Sequence, residues 1–168
     1  MSTVVLNNTW GNIDAMTSEH VNRVKMALNN TSDETLTITA GSPQSPGTNI
    51  AISAGTVPVN MTYDGNIQVD AGVPEQEMHF TASFSATSDT NNIVLIGTMT
   101  VNGTPQQSKV LRKITTGADV GALSFQDTFL AKGGDTIGFN LDIEAGTAVD
   151  ITIKQGASWE IETFKKKG

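Results

Sequence analysis

Two histidines and a scattering of carboxylates are the first candidates for chemistry in this sequence. His20 lies early in the chain, and His79 sits in "EMHFTASFS". Serine and aspartate are plentiful, so composition alone permits a Ser–His–Asp arrangement. Yet there is no Gly-x-Ser-x-Gly elbow to raise a serine on a strained turn. The histidines show neither His-x-His nor His-Glu-x-x-His spacing, which argues against zinc. A glycosidase needs two carboxyl groups converging in a cleft. Glu75, Glu77, Asp142, Glu144, Glu160 and Glu162 instead fall at strand edges or on polar strand faces, with no long loops to shape a cleft. "DTNN" (Asp89 to Asn92) and "YDGN" offer oxygen ligands for calcium, but neither has EF-hand spacing, and turn formation accounts for both. Gly117 and Gly121 have the wrong context for a phosphate loop. The sequence therefore predicts no catalytic residue, no metal site and no cofactor, and the chain is read as a non-enzyme.

Bulk composition agrees with a structural or binding role. The 168 residues are 38% apolar, enough for one sizeable core. Charged residues make up 16%, below the usual quarter or so of a soluble domain. Thr, Ser, Asn and Gly supply the polarity, and these residues favour strands and turns. The formal net charge of −7 opposes general binding to nucleic-acid phosphate. Lys165-Lys166-Lys167 is the one basic run and is expected to be a solvated tail. There is no cysteine, so disulfides and thiolate chemistry are excluded and assembly in a reducing cytoplasm is favoured. "MSTVVLNNTW" lacks the basic and apolar regions of a signal peptide. The longest fully apolar run, Ile93–Ile96, is far short of the ~20 residues that span a bilayer, so no membrane partner is expected.

The elements that must carry these residues divide unevenly. Residues 1–47 read as an N-terminal arm with one short helix and a linker. Thr17 or Ser18 would cap the helix, Glu19 would favour its positive end, and Val21, Val24 and Leu28 would form its apolar face. A short strand, Leu36–Thr39, leads into the Gly/Ser/Pro-rich "AGSPQSPG". Residues 48–168 read as an all-β, antiparallel jelly-roll sandwich, regular over 75–164. Predicted strands there are Gln76–Ala86, Ile93–Val101, Lys109–Thr115, Ala122–Leu130, Thr136–Ile143, Val149–Lys154 and Trp159–Phe164, with shorter pieces at Ile50–Ser53, Val57–Thr62 and Ile67–Val69. "YDGN" between two of the short pieces is a hairpin signal. Alternation is clean in "DTIGFNLDI", where Ile137, Phe139, Leu141 and Ile143 share one face.

One strand breaks that pattern. In "NNIVLIGTMTVNG" the core face is filled by Ile93, Leu95, Met99 and Val101, yet Val94 and Ile96 are apolar on the other face. Full burial of these two would gain only ~3–6 kcal/mol, against an association cost of ~4–15 kcal/mol. Further residues must therefore join them. The predicted oligomer interface is Val94, Ile96, Val110, Ile114, Trp159 and Phe164, with Leu111 and the N-terminal strip as further candidates. Val4, Val5, Leu6, Trp10 and Ile13 stand in a polar arm, where a large aromatic points to docking on another protein.

The segment "HFTASFSATSDTNNIVLIGTMTVNGTPQQSKVLRKITTGADVGALSFQDTFLAKGGDTIGFNLDI" resembles the small jelly-roll modules of bacteriophage virion proteins. Those modules are similar to the C1q/tumour-necrosis-factor trimeric fold. The features that carry the likeness are "NGT" in a hairpin after an apolar strand, "KVLRKI" ending in "TTG", and "LAKGGD" turning into an amphipathic strand. The likeness covers roughly residues 75–164. It implies a homotrimer packed about an apolar axis, which would cover Val94 and Ile96. It also implies a virion location. Such modules occur in head decoration (cement) proteins and in fibres, and this chain has no repetitive shaft. The expectation is a trimeric decoration protein on the outer surface of a phage head. Its partner would be the major capsid protein, clamped through Val4, Val5, Leu6, Trp10 and Ile13. The alternative is a receptor- or glycan-binding fibre tip, with "TSDTNN" or "NGTPQQ" carrying specificity.

Overall fold

The computed structural model describes residues 23–46, 50–52, 61–63 and 66–164. Within them the chain forms twelve strands: β1 (Arg23–Asn30), β2 (Glu34–Ile38), β3 (Ile50–Ile52), β4 (Met61–Tyr63), β5 (Ile67–Val69), β6 (Gln76–Ser88), β7 (Ile93–Val101), β8 (Thr104–Ile114), β9 (Gly121–Ala131), β10 (Thr136–Ile143), β11 (Val149–Ile153) and β12 (Ser158–Phe164). They make two antiparallel sheets, consistent with a jelly-roll sandwich. One runs β2-β11-β6-β12-β1-β3, with β9 on the other edge of β6; the second runs β4-β5-β10-β7-β8.

Period-two patterning explains the packing. Along β9, Leu123, Phe125, Phe129 and Ala131 are buried while Ala122, Ser124, Gln126 and Leu130 are exposed. Along β10, Ile137, Phe139, Leu141 and Ile143 are buried. The two inner faces meet at an aromatic centre. Phe139, from the five-stranded sheet, lies 5.7–5.8 Å from Phe80, Phe84 and Phe125 of the other sheet. Phe84 in turn stacks on Trp159 at 6.4 Å. Phe84 meets Phe139 edge to face, whereas Phe80–Phe139 and Phe84–Trp159 are stacked; both arrangements add to burial by bringing ring regions of opposite partial charge together.

The turns follow local chemistry. Asn102 and Gly103 have φ of 53° and 75°, the left-handed pair that closes a two-residue hairpin between β7 and β8. Tyr63 pairs with Ile67, so β4 and β5 are antiparallel neighbours on either side of "YDGN", whose Asp64 and Gly65 lie outside the described residues. β11 and β12 lie end to end on one edge of β6, and β1 and β2 lie end to end beyond them. Asp33 joins the two breaks: its carboxylate accepts from Lys154 Nζ at 2.9 Å and from the Gln155 N–H at 2.8 Å.

Three sequence expectations need correction. Residues 23–30 are a strand, not the second half of a helix; the part of that helix before Arg23 lies outside the described residues. β1 pairs with β12 over seven positions and with β3 on its other side, and buries Met26 and Leu28 in the core. A helix of about three turns is marginal by itself, whereas a strand here satisfies the open edge of β12. The segment read as a linker also belongs to the sandwich. β2 pairs with β11, and Gln44 exchanges two 2.8 Å backbone hydrogen bonds with Leu141 of β10. The sandwich thus includes residues well before the expected boundary at 47.

Candidate interaction surfaces

β7 is sandwiched between β10 and β8, and the register fixes what stands beside its outer face. Val94 is opposite Lys113, Ile96 is between Leu111 and Asp142, and Thr98 is between Lys109 and Asn140. Val94 and Ile96 are half-buried, and Leu111 is 61% exposed. These three make an apolar strip on the outside of the five-stranded sheet, with a lysine at each end. The chain covers one side of it. Segment 40–46 crosses the edge of β10, where the Gly41 N–H donates to Asp142 Oδ1 at 3.1 Å and Ser45 Oγ donates to the Phe139 carbonyl at 3.2 Å. Pro43 on this segment shares with Ile96, Thr98, Lys109 and Asp142 a groove of about 120 Å³.

The other predicted interface residues are not brought to this strip. Ile114 pairs with Ile93 and is fully buried in the core. Val110 faces inward too, pressed against Gly97: a Cβ built on that glycine would stand 2.7 Å from Val110 Cγ1. Trp159 is buried in the opposite sheet against Phe84. Phe164 pairs with Arg23 in that same opposite sheet. Val4, Val5, Leu6, Trp10 and Ile13 lie outside the described residues, as does His20. Leu111 completes the strip because β8 alternates: Val110, Arg112 and Ile114 take the inner side, Leu111 and Lys113 the outer.

The outer face of the seven-stranded sheet is polar. His79 stands at its centre, its Nδ1 3.1 Å from Thr128 Oγ1 and its Nε2 3.3 Å from Glu77 Oε1. A shallow groove of about 580 Å³ runs past His79, Thr81, Gln126, Thr128 and Glu162. Glu77, Glu160 and Glu162 belong to this face, whereas Asp142 is on the outside of the other sheet, so the core separates them. Among the described residues, no group of three or more His, Asp or Glu side chains is arranged to hold a metal ion.

The acidic residues at the turns are committed to the backbone. Asp89 Oδ1 accepts from Thr90 Oγ1 and from the Asp150 N–H, both at 3.0 Å, and Asn91 Oδ1 accepts from the Gly117 N–H. Asp119 is held below the usual carboxylate range by the Thr115 N–H and Oγ1, with Arg112 nearby. Asp33 is lowered by the Gln155 N–H and the Lys154 ammonium. Asp135 is lowered first by the Asn102 side-chain amide and then by the Lys132 N–H. In each case donors aimed at the carboxylate favour its charged form, which suits a turn latch rather than a general acid. The two turns considered for ligand specificity also part company. Asp89–Asn92 and Asn102–Gly103 bracket β7, so they stand at opposite ends of the sandwich, roughly 30 Å apart at strand rise.

No protein-family model matches the chain, and no curated protein sequence matches it. Solved structures do. The Eiger TNF of S. frugiperda superposes with a TM-score of 0.62 at 8% identity, covering 88% of this chain and 96% of that one. Murine APRIL at pH 8.0 gives a TM-score of 0.50 at 8% identity, covering 79% of this chain and 98% of that one. The vertex protein P5 of PRD1 gives 0.48 at 11% identity, covering 85% of this chain and 96% of that one, a likeness too distant to bear on function. The chain therefore has a TNF-like jelly-roll fold. At these identities the likeness concerns the fold alone.

Proposed function

We propose that this chain is a structural virion protein, a homotrimer that decorates the outer surface of a phage head and stabilises it by clamping neighbouring major capsid subunits. The observation that carries the reading is the strip Val94–Ile96–Leu111, left half-open on a TNF-like sandwich. Burying the strip contributes about 3–6 kcal/mol per copy, of the same order as the lower estimates for association. It is an anchor that needs a polar rim, and Lys109, Lys113, Thr98 and Asp142 provide one. The likeness of residues 75–164 to phage virion modules supports the virion setting. Val4, Val5, Leu6, Trp10 and Ile13 are the capsid-contact residues of this proposal. Three such segments on one trimer would raise one another's effective concentration at the lattice.

Light scattering gives the first test: a mass three times that of the chain is expected. Leu111→Lys combined with Ile96→Asp should shift it to the mass of one chain with the circular dichroism unchanged. A wild-type monomer at micromolar concentration defeats the trimer. Deletion of residues 1–22 should leave the trimer intact and abolish co-sedimentation with capsids of the same phage. Capsid binding by the truncated trimer at full strength defeats the clamp. The deletion must stop before Arg23, because removing residues 1–30 strips β1 from the sheet and takes Met26 and Leu28 out of the core.

A further inference from the structure

The one Asn-Gly pair in the sequence, Asn102-Gly103, is also the tightest hairpin of the five-stranded sheet. Asn-Gly is the dipeptide most open to intramolecular deamidation, because glycine leaves the attacking backbone nitrogen unshielded. Here, however, both ends of the asparagine amide are held. Nδ2 donates to Asp135 Oδ1 at 2.8 Å, and Oδ1 accepts from the Thr136 N–H at 2.9 Å. The Asn102 N–H is itself bound to the Thr136 carbonyl at 2.8 Å. Asp135 is braced in turn: its Oδ2 accepts from the Lys132 N–H at 2.8 Å, and its carbonyl accepts from the Val69 N–H at 2.9 Å. The β7–β8 turn and the β9–β10 turn thus form one clasp.

We propose that Asn102 is a deamidation site gated by this clasp, inert while Asp135 and Thr136 hold the amide and reactive when they release it. In the reaction the Gly103 backbone nitrogen gives its proton to solvent base and bonds to Asn102 Cγ. The Cγ–Nδ2 bond breaks as the amide nitrogen takes a proton from solvent and leaves as ammonia. Solvent water then opens the five-membered imide at either carbonyl, giving aspartate or isoaspartate at 102. No oxidant or reductant is involved. Attack requires Cγ to swing toward the Gly103 nitrogen, and Nδ2 cannot keep its bond to Asp135 during that swing. The donor–carboxylate bond belongs to the stronger, charge-assisted kind. The product is self-propagating for the turn: a carboxylate at 102 has no proton to give Asp135 and repels it, so the clasp cannot reclose. Each event also adds one negative charge to a chain already at −7.

The test is a time course at pH 8 and 37 °C, with peptide mass spectrometry reading the fraction converted at position 102. Four samples are compared: the folded wild type, the wild type unfolded in urea, and the Asp135→Asn and Asp135→Ser variants, each checked for fold by circular dichroism. The folded wild type should react at least about tenfold more slowly than the unfolded chain, the ratio expected from one charge-assisted hydrogen bond. A folded variant should recover most of that rate. Equal rates in folded and unfolded wild type overturn the proposal, and this comparison needs no variant. A folded variant that stays as slow as the wild type overturns it too, because the protection then belongs to the hairpin backbone and not to Asp135.

Discussion

Gly97 sits in the middle of β7, on its inner face, between the two outward residues Ile96 and Thr98. A methyl group added there would stand 2.7 Å from Val110 Cγ1 and 2.8 Å from Phe139 Cζ. Both distances are well under the ~3.5–4.0 Å optimum for carbon contacts. The two neighbours differ in their freedom. Val110 is on the edge strand β8 and half-buried, so it can rotate away. Phe139 is boxed in by Phe80, Phe84 and Phe125, and any shift passes into the aromatic centre. Overpacking of this kind costs about 1–3 kcal/mol, and a hemmed-in ring places Gly97→Ala at the upper end. For a chain of this size that is a fall in Tm of roughly 5–10 °C, using about 2–4 °C per kcal/mol. Urea unfolding of four proteins (wild type, Gly97→Ala, Val110→Ala and the double variant) gives the coupling directly. The double variant should recover part of the loss, since Val110 supplies one of the two clashes, and Phe139 should withhold the rest. A Gly97→Ala protein within ~0.5 kcal/mol of wild type would refute the argument, because the core would then be able to make room that its geometry denies. Full recovery in the double variant would show that Phe139 moves freely.

Acid should weaken the fold through its turn latches. Asp33, Asp119 and Asp135 all have folded-state pKa values lowered from 3.8. The unfolded chain therefore binds more protons in that range, and the stabilisation they give is present above the unfolded value and lost as pH falls through the folded one. The urea midpoint attributable to these groups should be flat from pH 7 to 5 and drop below about pH 4; Asp135→Asn should flatten that drop, and an unchanged profile would remove Asp135 from the account. Trp159→Ala should cost about 3–5 kcal/mol by denaturant titration, because the ring is buried and stacked on Phe84. A loss below ~1 kcal/mol with a weakened oligomer would instead make Trp159 an interface residue, as its sequence position first suggested.

The all-β class, most strands from residue 76 onward and the buried faces of β9, β10 and β11 were written in the chain, for a local reason; β8, expected from Lys109, begins already at Thr104, and Thr100 rather than Val101 is buried in β7. Side-chain direction in a strand repeats every two residues, so "DTIGFNLDI" and "VDITI" declare their inner faces without reference to anything distant. The Asn102-Gly103 turn is equally local, since tolerance of positive φ is a property of the residues themselves. Residues 23–30 were not legible. Val21, Val24 and Leu28 have helical spacing, but Met26 and Leu28 alternate with Ala27 and Asn29, and only the open edge of β12 decides between the two periods. The apolar strip was half legible. Val94 and Ile96 announce a second apolar face. Which residues of β8 join them depends on the irregularity between Thr98 and Thr100, across which the register moves from Thr100↔Pro105 to Thr98↔Lys109. That shift sets Leu111 beside Ile96 and closes Val110 onto Gly97. The inward turn of Ile114 and Trp159, and the clasp between Asn102 and Asp135 across 33 positions of chain, are likewise products of pairing. Local sequence specifies which way a side chain points along its own strand; which neighbour it meets is fixed only when the whole sheet has closed, because register is a collective choice of strands far apart in the chain.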